Sequence, residues 1–255
     1  MAELLALRGV CKGYARGERA FSQVLANVSL DVRPRETVAV VAAREEGKTT
    51  LMKIAAGIEP PDAGEVWLGD VDLAQTSDRE RSRLLGDEIA WIHREGTGVK
   101  FRVLDYVGLP LAIGRGRGQR EAQDLAMEAL ERVGATGCAG QRWMELSNWE
   151  RLLVGLARGI AGSPRLLVVD DLVGGFGMSR TREAGELLLG LVRELGCGAL
   201  LSCSDLEAAL IADCVCSLER GRLSLLVEQG NELADVIDFP GAARPGQSSR
   251  RAGGS

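Results

Sequence analysis

The chain has 255 residues, 45% of them hydrophobic, a mean hydropathy of +0.01 and a formal net charge of −5. That is enough chain for a sizeable core, without the basic surplus of a nucleic-acid binder and without the ~18–20-residue apolar run that crosses a bilayer. The six cysteines form no C-x-x-C pair and His93 is the single histidine, which argues against a zinc site and for small buried thiols kept reduced. Met1 to Leu5 carries an early acid and no basic n-region, so the start does not read as a secretory signal and cytoplasmic residence is expected.

In chain order, residues 4–6, 24–32 and 37–41 alternate like β-strands, with Gly-, Arg- and Pro-rich turns between them. A helix is expected over 48–58, stopped by Gly57 and Pro60-Pro61. Residues 65–68 and 88–92 read as short strands. From about 94 to 162 the character changes. Gly114 to Gly118 is a loop, and Arg115 to Arg120 reads as a solvated stretch. Helices at 121–133 and 148–161 follow, the first spacing Ala122, Leu125, Ala126, Ala129 and Leu130 on one face, the second Leu152, Leu153, Leu156 and Ala157. This predicts a helical lobe inserted into an α/β core. The core resumes with strand 165–170, helix 179–195, strand 198–202, helix 205–212 and strand 214–218, the alternation of a mostly parallel sheet covered by helices. A nucleotide-binding domain over 1–240 and a disordered Ala/Arg/Pro/Gly/Ser tail over 241–255 complete the expected organisation.

One stretch carries chemistry. The apolar run Val38-Ala39-Val40-Val41 is followed by Ala42-Ala43-Arg44-Glu45-Glu46-Gly47-Lys48-Thr49-Thr50. A buried strand, a tight loop and Gly-Lys-Thr opening a helix is a phosphate grip: backbone N–H groups face the anion, Lys48 reaches the β- and γ-phosphates, and the Thr49 hydroxyl ligates Mg²⁺. Asp170, closing an apolar strand, supplies a second hold on Mg²⁺ through water. Ala42 replaces the first glycine of the usual pattern. Glu45 and Glu46 bring negative charge near a polyphosphate, each costing roughly 0.6–2.4 kcal/mol per phosphate charge at about 7 Å; Arg44 offsets part of it.

These motifs, in this order, resemble the nucleotide-binding subunit of ATP-binding-cassette (ABC) transporters over residues 4–228. The likeness runs through Val24 to Leu30, the phosphate loop, Gly57 to Val66, Leu146-Ser147-Asn148-Trp149-Glu150-Arg151, and Ser163 to Asp170. Ile89 to Ile92 and Val103 to Leu111 look closest to the branch serving macrolide export and lipoprotein release. The resemblance implies a P-loop NTPase core with an N-terminal antiparallel β subdomain, binding of ATP with Mg²⁺, a transmembrane permease partner, a second nucleotide-binding subunit (the same chain or another), and a place at the inner face of the cell membrane. It also implies roles for particular residues. Tyr14 matches the aromatic that stacks on adenine, and Arg94 aligns with the glutamine that senses Mg²⁺ and the membrane partner. Asp171 stands where the family has its catalytic Glu, and Ser204 where it has the switch His. Ser147, Asn148 and Trp149 occupy a signature whose glycines let backbone amides approach nucleotide across a dimer.

Because each departure weakens rate more than binding, the resemblance implies a subunit that holds ATP with impaired hydrolysis. Two alternatives remain at this stage: an ordinary transport ATPase tolerant of these changes, or a scaffold that no longer needs nucleotide.

Overall fold

The computed structural model describes residues 3–16, 20–93, 101–171 and 176–228. Strand β3 (Thr37–Val41) lies inside a sheet of order β10-β9-β3-β8-β7-β6, completed by β6 (Ile89–His93), β7 (Leu166–Asp170), β8 (Gly198–Cys203), β9 (Cys214–Glu219) and β10 (Arg222–Glu228). Within it β3, β6, β7, β8 and β9 run parallel, and β10 turns back antiparallel on β9. A second, antiparallel sheet has the order β2-β1-β4-β5, from β1 (Leu5–Arg16), β2 (Ala20–Val32), β4 (Ala63–Leu68) and β5 (Val71–Asp72). This is the expected α/β architecture.

Alternation along the central strands divides the interior. Val38, Val40, Leu166, Val168 and Leu200 face one core, shared with α1 (Lys48–Ala55), Leu84 and the antiparallel sheet; Ala39, Leu167, Val169, Ala199 and Leu201 face the other, covered by the helices that follow β6. A parallel strand buried on both faces needs apolar residues at successive positions, which is why these strands read as unbroken apolar runs.

The lobe consists of α3 (Val103–Gly114), α4 (Gln119–Arg132) and α5 (Asn148–Ile160). Helix α3 was not predicted as a helix, since Gly108 and Pro110 interrupt its pattern. Packing explains Gly108: a Cβ there would lie 2.9 Å from the Ala122 carbonyl oxygen, where α3 crosses α4. Helix α2 (Asp78–Asp87), whose apolar residues are confined to Leu84 and Leu85 and which is capped by the Ser77 hydroxyl accepting from the Glu80 N–H at 3.3 Å, was also missed, as was edge strand β10. Helix α1 ends three residues earlier than expected, because Gly57 adopts φ 73 just beyond it. The expected helix 205–212 shrinks to α7 (Leu206–Ala209), started by the Asp205 carboxylate accepting from the Ala208 N–H. Helix α6 (Met178–Leu195) forms nearly as read.

The expectation for Arg115 needs correction. It is not merely solvated: its guanidinium donates to the carbonyls of Gly86, at 3.1 Å, and Asp87, and pairs with the Asp87 carboxylate at 3.4 Å, tying the end of α3 to the core. Among the described residues no helix is long and apolar enough to cross a membrane. The tail at 241–255 lies outside the described residues.

Candidate phosphate-binding site

Pairing register brings the chemistry to one sheet edge. Val41 lies opposite Cys203, Asp170 opposite Ser202, and His93 opposite Asp170, so the carboxyl ends of β3, β6, β7 and β8 open onto the same side. Crevices at such strand ends are where open α/β sheets bind ligands.

Gly47 caps α1 at φ 98, a left-handed conformation that side-chain-bearing residues resist. Glycine is needed for space as well. A Cβ there would come within 2.5 Å of Val24 Cγ1. The Lys48 ammonium folds back over the loop, donating to the carbonyl oxygens of Ala42 and, at 3.1 Å, Ala43. Val24, Ala43, Arg44, Glu45, Gly47, Lys48, Thr49, Thr50, Asp170, Asp171 and Ser204 line one cleft of about 690 Å³. Ala42 is buried beneath it.

Asp170 is 9% exposed, and its Oδ1 accepts from the Ser202 hydroxyl at 2.6 Å. Ser202 also accepts from the Asp171 N–H at 2.9 Å, so one hydroxyl orders both carboxylate-bearing residues. The sequence reading gave Ser202 no role, although a hydroxyl at a buried position of an apolar strand was a usable signal. Asp171 sits at φ 50, and its Oδ1 accepts from the Ser204 hydroxyl at 3.3 Å. Asp171 and Ser204, which the resemblance sets at the catalytic Glu and switch His positions, are thus in contact with each other.

A Mg²⁺-nucleotide fits this donor set. Among the described residues, no group of three or more His, Cys, Asp and Glu side chains could hold a metal by itself. Thr49 and Asp170 would therefore hold Mg²⁺ jointly with phosphate oxygens, the arrangement of a nucleotide site rather than of a protein metal cage.

The remaining candidates divide. The Tyr14 hydroxyl donates to Glu59 at 2.6 Å and lies 3.3 Å from the Thr50 hydroxyl, which puts the 39%-exposed ring beside the first turn of α1. Burial, then the bond to Glu59, pushes that phenol above its ordinary pKa. Asn148 lines a neighbouring cleft of about 860 Å³ that shares Thr49, Asp170 and Asp171 with the first. Ser147 and Trp149 line neither cleft. Ser147 caps α5, its hydroxyl accepting from the Glu150 N–H at 3.3 Å while the Glu150 carboxylate accepts from the Ser147 N–H at 2.7 Å. Trp149 packs edge-on to Phe176, with centroids 5.9 Å apart, and under the Arg180 guanidinium at 4.4 Å. His93 ends β6 exposed, stacked on Trp91, as a sheet-end residue should be. Arg94 lies outside the described residues.

Glu46 departs from expectation. Its carboxylate is turned from the cleft onto the backbone N–H of Arg220, at 2.8 Å, whereas exposed Glu45 does line the cleft, at φ 66. Of the two loop glutamates, it is Glu45 that brings charge to the cleft.

Comparison with known proteins decides the family. Residues 25–173 match the ABC transporter family. The chain is also 35% identical over 224 residues to the lipoprotein-releasing system ATP-binding protein of Cereibacter sphaeroides, covering 88% of this chain and 100% of that protein. This chain belongs to the ABC transporter family. A second relative in it, from Ruegeria pomeroyi and of the same description, is 36% identical over 222 residues, covering 86% of this chain and 96% of that one. The fold of a bacterial ABC transporter cassette solved as a dimer superposes with TM-score 0.79 at 24% identity, over 86% of this chain and 96% of that one. Both sequence relatives fall in the lipoprotein-release branch that the residues had pointed to. The ABC architecture accounts for the strand-end cleft, with the phosphate loop after β3 and Asp170-Asp171 at the end of β7.

Proposed function

We propose that this chain is the ATP-binding subunit of an ABC transporter complex, binding Mg-ATP in the cleft above α1 and hydrolysing it slowly. It would act with a membrane permease and a second cassette at the inner face of the membrane. The lipoprotein-releasing relatives make a lipid-modified protein the cargo class to test first.

The observation that carries this reading is the pairing of a retained Gly47-Lys48-Thr49 grip with altered cutting residues. Lys48 exchanges its bonds to the Ala42 and Ala43 carbonyls for phosphate oxygens, and the N-terminus of α1 presents its free N–H groups to the same charge. Thr49 and Asp170 would hold Mg²⁺, which when bound would supply positive charge against the phosphates. Asp171 carries a carboxylate one methylene shorter than Glu, already bonded to Ser204, so it holds an attacking water further from phosphorus. Ser204 offers a hydroxyl and no imidazole. Losses of this kind cost ~10²–10³-fold in rate with little effect on binding.

Equilibrium titration with a fluorescent ATP analogue should show saturable, Mg²⁺-dependent binding that Lys48→Ala abolishes. Turnover of the wild type should be low, and the double variant Asp171→Glu with Ser204→His should raise it at least ~10-fold. Absence of binding would make the chain a scaffold. A wild-type rate that the double variant fails to raise would refute slow hydrolysis.

A further inference from the structure

The phosphate loop meets two distant parts of the chain at one point. Glu46 and Arg220, separated by 174 positions, are joined by the hydrogen bond from the Arg220 N–H to the Glu46 carboxylate at 2.8 Å. Arg220 and Gly221 form the two-residue turn between β9 and β10, with φ 50 and 74, both in the left-handed region that a tight hairpin uses. The turn presses on β2. Ala26 N–H donates to the Gly221 carbonyl at 2.7 Å, and a Cβ on Gly221 would lie 2.9 Å from the Val24 carbonyl oxygen. Val24 is also the residue against which Gly47 is seated, and it lines the phosphate cleft. Loop, hairpin and strand therefore lock together around Val24, and among the described residues the Glu46 side chain bonds the loop to the hairpin.

We propose that Glu46 is a positioning residue for phosphate binding. Its carboxylate fastens the loop to the 220–221 turn, which keeps Gly47 seated on Val24 and the N-terminus of α1 aimed into the cleft. This deepens the nucleotide-binding reading and rests on it. The competing role, in which Glu46 repels phosphate through its charge, predicts tighter binding in the alanine and glutamine variants and no change in the aspartate variant.

The test compares Glu46→Ala, Glu46→Gln and Glu46→Asp with the wild type by two readouts on the whole chain. These are backbone amide exchange at Arg220 measured by NMR without nucleotide, and titration with Mg²⁺ and a fluorescent ATP analogue. Glu46→Ala should exchange the Arg220 amide at least tenfold faster and bind the analogue about tenfold more weakly. Glu46→Gln keeps an acceptor oxygen at the same reach and should restore both values to near wild type. Glu46→Asp keeps the charge but shortens the reach, so it should behave like the alanine variant, and it decides the matter alone if Glu46→Ala does not fold. Unchanged Arg220 exchange in the alanine or aspartate variant would overturn the fastening. Binding that tightens equally in the alanine and glutamine variants would overturn the positioning role in favour of charge repulsion. A wild type that does not bind the analogue would instead refute the nucleotide reading, and the exchange readout would still judge the fastening separately.

Discussion

At the scale of single residues, the phosphate loop mixes one position where glycine is required with one where it is missing. Gly47 at φ 98 cannot take a side chain without meeting Val24. Gly47→Ala should lose about 1–2 kcal/mol to backbone strain and roughly 1–3 kcal/mol more to overpacking, seen as a lowered urea midpoint together with lost nucleotide binding; an unchanged midpoint would contradict the close approach. Glu45 holds φ 66 with a side chain attached, and it is the acid that lines the cleft. Glu45→Gly should therefore stabilise the fold by about 1 kcal/mol and tighten Mg-ATP binding, whereas weaker binding in the titration would show that the carboxylate has a ligand-directed role. Lys48, Thr49 and Asp170 were readable in the sequence because a phosphate grip needs those residue types in that order. Ser202 offered only the weaker signal of a hydroxyl in an apolar strand, and its partners come from a neighbouring strand that only sheet pairing brings beside it.

At the scale of elements, the start of α5 is fixed by side chains rather than by glycine. Ser147 and Glu150 close a reciprocal cap, so Ser147→Ala should cost about 1 kcal/mol, measured by chemical unfolding. Trp149 joins α5 to the start of α6 through Phe176 and Arg180. An aromatic pair contributes about 0.5–1.5 kcal/mol and an exposed cation–π contact about 0.5–1 kcal/mol. Trp149→Gly should accordingly destabilise by at least ~1 kcal/mol while opening backbone space at the α5 N-terminus. If unfolding is unaffected, the tryptophan is not the joint between these helices. Helix α5 was legible from its apolar spacing and cap. Helix α3 was not, because Gly108 serves a crossing with α4 that the local sequence does not display.

At the scale of the whole molecule, the end of the central sheet opposite the cleft gathers acids from separate segments. Glu36 is pushed above the usual carboxylate range by burial first, and further by Asp213 and Glu228, against the lowering effect of Arg33, whose N–H donates to it at 2.6 Å. A carboxyl raised in the folded state makes its stabilising contribution at pH below its unfolded value and loses it as pH rises through the folded value. Stability should thus decline with rising pH just above the ordinary carboxylate range, and Glu36→Gln, which retains an acceptor for the Arg33 N–H, should flatten that decline in urea unfolding at several pH values. A variant with the wild-type slope would exclude Glu36 as its source. The sequence by itself determined the alternation of strands and helices, the phosphate grip and the family likeness, because periodicity, turn residues and a contiguous loop motif are local properties. Only the tertiary structure decided that Asp171 and Ser204 touch, that Ser202 orders both aspartates, and that Glu46 faces a hairpin rather than the cleft. Each of those facts depends on strand register and loop path, which join residues too far apart in the chain for any local pattern to encode.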